Sequence, residues 1–228
     1  MGELARRVWR THRHGLVAAA AWPRAAHSTM MPLRVVCFDL MDTLVVDPFR
    51  QALEAGAGMA LDRLLARRDP GAWPAFEAGH IGEAEFTARL LPDGSFDHAA
   101  FSRARREGYA LVPGMRELLD GLAGQTRRWV ASNYPVWVDE VLARFALDRR
   151  LEGVTVSCRE GVRKPEPAFF ERLAQQVGEP LPRCVLVDDR AENCAAAERA
   201  GLRAHHFDGV AGLARRLRAE GLDVAADR

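Results

Sequence analysis

The segment Leu33-Arg34-Val35-Val36-Cys37-Phe38-Asp39-Leu40-Met41-Asp42-Thr43-Leu44 sets an apolar run directly against an acid-containing turn. Residues 33–38 suit a strand buried on both faces of a parallel sheet. Four comparable runs follow, at 128–132, 154–158, 184–187 and 202–207. Helical patterns lie between them. Pro113 fits a first helical turn. Met115, Leu118, Leu119 and Leu122 then recur at i, i+3, i+4, i+7, and Gly124 supplies a stop. Residues 165–177 read as a second helix, with Phe169 and Leu173 on one face, and 191–200 as a third, closed by Gly201. Strand–helix alternation of this kind predicts an α/β fold, a parallel sheet layered by helices.

Residues 47–108 break the alternation. They hold no good strand. Helical patterns surround Leu61, Leu64 and Leu65, then Phe86 and Leu90, then Phe101 and Ala104, with Pro70, Pro74 and Pro92 between them. The chain is therefore divided into a core of 31–46 and 109–228, an inserted helical cap of 47–108, and an extension of 1–30. The cap is expected to pivot at 45–48 and 108–113.

Composition narrows the function. The chain has 228 residues, 48% hydrophobic and 28% charged, with a net charge of +1. No basic footprint for nucleic acid is present, and no apolar run reaches the roughly 18 residues of a membrane span. Four cysteines without CxxC spacing exclude a disulfide scaffold and a structural zinc site. Of 32 basic side chains, only Lys164 is a lysine; Asn occurs only at 133 and 193. In so Arg-biased a chain these residues mark chemistry that resists substitution. The extension carries Arg6, Arg7, Arg10, Arg13 and Arg24 against Glu3. It reads either as an organellar transit segment or as upstream sequence before a start at Met30 or Met31, which would leave the protein cytoplasmic. Oligomeric state is not encoded legibly.

Open α/β sheets bind ligands beyond the carboxyl ends of their strands. There the sequence places Asp39 and Asp42, then Ser132-Asn133, Lys164, and Asp188-Asp189 followed by Asn193. Clustered carboxylates call for a hard cation, Mg²⁺ rather than zinc. A phosphate dianion would be held by that cation, by Lys164 and Ser132, and by N–H groups after Asp39, with Thr43 and Asn133 as further candidate contacts. Asp39 would attack phosphorus, and water would hydrolyse the resulting aspartyl-phosphate.

These residues, in this order, resemble the four motifs of the haloacid dehalogenase-like (HAD) hydrolases over residues 33–217. The resemblance implies a Rossmann-like three-layer core with a small helical cap. It makes Asp39 the nucleophile, Ser132 the second-motif hydroxyl, Lys164 the third-motif lysine, and Asp188 and Asp189 the metal-binding acids. Finer features look like the chloroplast flavin mononucleotide (FMN) hydrolases of plants: Phe38-Asp39-Leu40-Met41-Asp42-Thr43 followed by Asp47-Pro48-Phe49, with Trp73, Phe76-Glu77, Gly79-His80-Ile81, Asn133-Tyr134-Pro135-Val136-Trp137 and Arg163-Lys164-Pro165. That likeness implies FMN as the phosphorylated partner and a plastid rather than a mitochondrion as the destination.

One position departs from the family. An acid/base Asp is usual two residues after the nucleophile, and here Met41 stands there. Its carbonyl remains available to the metal. Its side chain offers no proton, and general acid catalysis typically contributes about 10²–10⁴-fold. Asp42 is the candidate replacement, although it and Thr43 equally suit side-chain bonds that hold the loop. Trp73, Phe76, His80 and Phe86 either face a flat substrate or form the core of the cap. Two alternatives stay open: a carbon–halogen hydrolase, in which Asp188-Asp189 has no purpose, and a fold that binds without turnover.

Overall fold

The computed structural model describes residues 31–91 and 96–224, and the described residues from 32 onward fall in one compact unit. The 1–30 extension and Pro92 lie outside the described residues. Five parallel strands form the sheet: β1 (Val35–Phe38), β4 (Arg127–Ser132), β5 (Gly153–Val156), β6 (Cys184–Asp188) and β7 (Arg203–His206). A two-residue ribbon, β2 (Val45–Val46) and β3 (Ala110–Leu111), pairs antiparallel beside it. The spatial order is β5-β4-β1-β6-β7. The chain works outward from β1 on one side, then crosses back to the other. That reversal beside β1 is where an open sheet leaves a crevice for ligand. Phe38 pairs with Val130 and with Val187, and β4 and β6 run on to Ser132 and Asp188 at the same edge.

Helices cover both faces, as the alternation predicts. Val36, Phe38, Val130, Val156, Val185 and Val187 pack with α6 (Met115–Gly121), α7 (Val138–Arg144) and α11 (Val210–Ala219). Val35, Cys37, Trp129, Ala131 and Leu186 pack with α9 (Pro167–Val177) and α10 (Ala191–Ala200). All four residues of β1 are buried, which is why its sequence shows no alternation.

Between β2 and β3 lie α1 (Phe49–Ala57), α2 (Leu61–Arg67), α3 (Ala72–Glu77), α4 (Glu83–Leu90) and α5 (His98–Gly108). An aromatic cluster joins them: Phe76 stacks on Phe86 with centroids 4.7 Å apart, and Phe49 lies 3.9 Å from Trp73. Trp137, from the turn before α7, enters the same cluster edge-on at 5.0 Å from Phe76. Phe76 and Phe86 are thus core residues of the insert. No helix among the described residues is long and apolar enough to cross a membrane.

Several boundaries differ from the sequence expectations. The third run ends at Val156; Ser157 and Cys158 belong to a helical turn, α8 (Ser157–Glu160). Ser157 Oγ is engaged there, donating to the Glu77 carbonyl (2.5 Å) and accepting from the Tyr134 N–H (3.0 Å). The expected helix at Pro165 starts at Pro167, behind an extended Glu166. Pro74 lies inside the first turn of α3, where proline is tolerated, rather than between helices.

Candidate active site

The site begins where β1 stops. The Asp39 N–H donates to the Val187 carbonyl at 2.8 Å, keeping the chain in register with β6 for one more residue. The backbone then closes a tight turn, with Leu44 and Val45 both donating to the Leu40 carbonyl and Asp42 N–H to Val45 (2.6 Å). Asp42 takes φ +53°, a left-handed value that Asp tolerates better than most residues. The turn leaves Asp39 nearly buried and Asp42 exposed. Met41 is buried, so its side chain brings no polar atom to the site.

Lys164 lies at the centre. Its Nζ donates to Asp39 Oδ1 (2.8 Å), to the Ala131 carbonyl (2.6 Å) and to Asp188 Oδ2 (2.5 Å). An ammonium has three N–H groups, so all are engaged. Burial alone would lower the lysine pKa, but Asp39 and Asp188 more than offset this and raise it. The Asn133 side chain is taken up by the main chain of the same residue: its Nδ2 donates to the Lys164 carbonyl and its Oδ1 accepts the Lys164 N–H, each at 2.7 Å. Asn133 therefore positions the lysine.

Asp188 is fully buried and bonded on both oxygens. Oδ1 accepts the Arg190 N–H (2.9 Å), and Asn193 Nδ2 reaches both oxygens at 2.9 and 3.1 Å. Asp189 is half-buried, with a pKa raised by burial and by the nearby charges of Asp188 and Asp42. Asp39, Asp188 and Asp189 each bring one oxygen within 4.8 Å of the others. Burial pushes the Asp39 carboxyl up to about 7, against the pull of Lys164 and with a further push from Asp188. Three carboxylates against one ammonium is a donor set suited to a divalent hard cation.

Two hydroxyls of this region are buried, Ser132 at the end of β4 beside Asp39 and Thr43 in the turn after it. Thr43 Oγ1 and Ser132 Oγ are both shielded from solvent and have no hydrogen-bond partner. Ser132 lies near enough to favour ionised Asp39 without forming a well-shaped bond. Orphan hydroxyls in a native interior call for a reason. Thr43 does not hold its own loop.

Other residues were not legible as site components. Glu77, in α3, is buried and receives Arg163 Nε (2.8 Å) and Nη2, which fixes the residue before Lys164 to the insert. Asp47 accepts the Phe49 N–H (2.9 Å) at the start of α1, while its own N–H donates to Asp42 Oδ1 (3.0 Å). Its carboxyl is raised to about 6, chiefly by burial. Both residues fall in segments that carry the resemblance to the FMN hydrolases, but no spacing assigns either a role, because a turn and a docked helix create these contacts. Among the residues considered for a flat substrate, Trp73 is partly buried, and exposed His80 sits with Nε2 3.0 Å from the Gly161 carbonyl.

A family model of haloacid dehalogenase-like hydrolases matches residues 33–201. Flavin mononucleotide hydrolase 1, chloroplastic, of Arabidopsis thaliana is 34% identical over 198 residues, 86% of this chain and 81% of that protein. A HAD-like family hydrolase of Porphyromonas gingivalis superposes with a TM-score of 0.69 at 23% identity, over 82% of this chain and 99% of that one. A HAD family enzyme of Bacteroides thetaiotaomicron, solved with magnesium and inorganic phosphate, gives 0.65 at 16% identity, over 78% and 95%. At these identities the two structures speak for the fold.

Proposed function

The chain belongs to the haloacid dehalogenase-like hydrolases, and from that premise we propose that it is a Mg²⁺-dependent phosphatase that releases phosphate from a small phosphomonoester, FMN in the first instance. The observation that carries this reading is the cluster of Asp39, Asp188 and Asp189, with buried Lys164 bonded to the first two and the unpartnered Ser132 hydroxyl beside Asp39. The donor set is all oxygen, which fits Mg²⁺. Asp39, Asp188 and Asp189, with the Met41 carbonyl, would hold it. When bound, the cation offsets charge between an anionic nucleophile and an anionic ester.

The protein's own groups supply the rest. Lys164 aims Asp39 through one hydrogen bond and favours its ionised form. Asp39 attacks phosphorus, the ester oxygen leaves with the bonding pair, and an aspartyl-phosphate forms. Water then attacks that phosphorus and frees the carboxylate. Ser132 and Thr43 donate to phosphoryl oxygens, which would satisfy both orphan hydroxyls. FMN is favoured because the 34% identical relative is an FMN hydrolase. Helices α1–α5 act as the cap that chooses the leaving group. The Arg-rich residues 1–30 and that relative's chloroplastic name support an organellar transit segment.

A second reading has one observation in its favour: the apolar Met41 where a proton donor is usual, which suits binding without turnover. A carbon–halogen hydrolase needs no cation and would leave the second acid, Asp189, without a task. Phosphate release from FMN decides among them. Turnover is expected only with Mg²⁺ present and is expected to vanish in Asp39→Asn. No release from FMN or from a panel of phosphomonoesters would leave the binding reading.

A further inference from the structure

The proposed reaction ends its first half with a departing alkoxide, and Met41 cannot protonate it. We propose that the proton comes from Asp47, at the mouth of the insert, and that Asp42 serves to hold Asp47 in place. This rests on the phosphatase reading above.

The turn after β1 brings the two acids together. Asp42 N–H bonds the Val45 carbonyl, which folds residues 42–47 back on themselves. Asp42 Oδ1 then accepts the Asp47 N–H at 3.0 Å. Asp42 is thereby tethered, and it lies exposed. Asp47 is partly buried, and its Oδ1 is fixed by the Phe49 N–H at the start of α1. Its other oxygen takes no hydrogen bond among the described residues and is free to carry a proton.

Asp47 is tied to the turn that follows Asp39, and charged and polar groups of several elements act on its carboxyl. Asp42 from the turn, Asp189 after β6 and Arg50 from α1 all act on its charge. Tyr109 before β3 and Tyr134 after β4 both feel it in turn. The tyrosine hydroxyls share a hydrogen bond, and Arg105 Nη1 donates to Tyr109 (2.9 Å). Burial, together with Asp42 and Asp189 and against the Phe49 N–H and Arg50, pushes Asp47 up to about 6. A carboxyl raised toward the working pH is what a general acid requires.

The steps balance. As Asp39 forms its bond to phosphorus, the ester P–O bond breaks and its electron pair goes to the leaving oxygen. The Asp47 proton goes to that oxygen, giving the neutral alcohol and an Asp47 carboxylate. In the second half this carboxylate takes a proton from the attacking water. The Asp39–phosphorus bond breaks, inorganic phosphate is released, and Asp47 is protonated again.

The test compares kcat/KM for two esters, since that ratio reports the steps through departure of the alcohol. FMN has a poor alkoxide leaving group, whereas p-nitrophenyl phosphate leaves as a stable phenolate. In the full chain with Mg²⁺, Asp47→Asn keeps an oxygen for the Phe49 N–H. It is expected to lose more for FMN than for p-nitrophenyl phosphate, by a factor on the order of 10². Asp42→Asn is expected to change both in the same proportion. Equal losses for the two esters in Asp47→Asn, or the selective loss appearing in Asp42→Asn instead, would overturn the inference and leave the phosphatase standing. An unaltered chain that cleaves neither ester would overturn the phosphatase reading and the inference with it.

Discussion

Lys164 is buried against two carboxylates and a carbonyl, one acceptor for each of its three N–H groups. A planar guanidinium cannot converge three donors on so compact a centre, which explains why a chain that otherwise uses arginine keeps a lysine here. Its singularity in the sequence was legible. The reason for Asn133 was not, because an amide turned back onto the Lys164 main chain depends on how two loops meet. Asp47 illustrates the cost of a functional group that is partly buried. Its carboxyl sits at about 6 in the fold, against 3.8 when solvated. A raised carboxyl pKa means that the folded state holds the proton more tightly. Its stabilising effect is full below about pH 4 and is lost as pH rises through about 6. By pH 7 the penalty is on the order of 2–3 kcal/mol. Asp47→Asn is therefore expected to raise the melting temperature at pH 7, with the gap closing toward pH 4. A gap that does not move with pH would contradict the assignment of that raised pKa to Asp47.

At the scale of elements, the insert's α3 is fastened to the core turn α8. Ser157 bonds the Glu77 carbonyl, Arg163 pairs with the Glu77 carboxylate, and His80 lies against the Gly161 carbonyl. Gly79 makes the approach possible: it has φ +72°, and a side chain there would collide with the Cys158 carbonyl. Gly58 has a similar φ of +62° with open space around it. Gly58→Ala is expected to cost about 1 kcal/mol from backbone strain alone. Gly79→Ala is expected to cost clearly more, by loosening the α3–α8 contact. Urea unfolding of the two variants side by side measures the difference, and equal losses would mean that α3 does not depend on this contact. Four of the five core strands were legible because buried parallel strands are continuous apolar runs; β7, at the sheet edge, reads Arg-Ala-His-His and is only partly buried. Helices α1 and α3 were not: α3 has six residues with a proline among them, and α1 carries a glycine, so neither has a strong local signal. The β2–β3 ribbon, two residues on each side, is below what periodicity can register.

Over the whole molecule, the sheet order brings residues as distant as 39, 132, 164 and 188 to one edge, and the insert returns to that edge through β2 and β3. Buried Asp39, buried Lys164 and the unpartnered Ser132 hydroxyl thus meet at one edge of the core, with Asp47 tied to the turn that follows Asp39. The reading of that edge as a phosphatase site stands or falls on a covalent bond to Asp39. The direct measurement is to mix the full chain with FMN and Mg²⁺, quench in acid within the first turnover, and map phosphorylated peptides by mass. A phosphoryl group on Asp39, absent when Mg²⁺ is withheld and absent from Asp39→Asn, is the expected result. Release of phosphate at full rate with no adduct on Asp39, or undiminished release by Asp39→Asn, would contradict it.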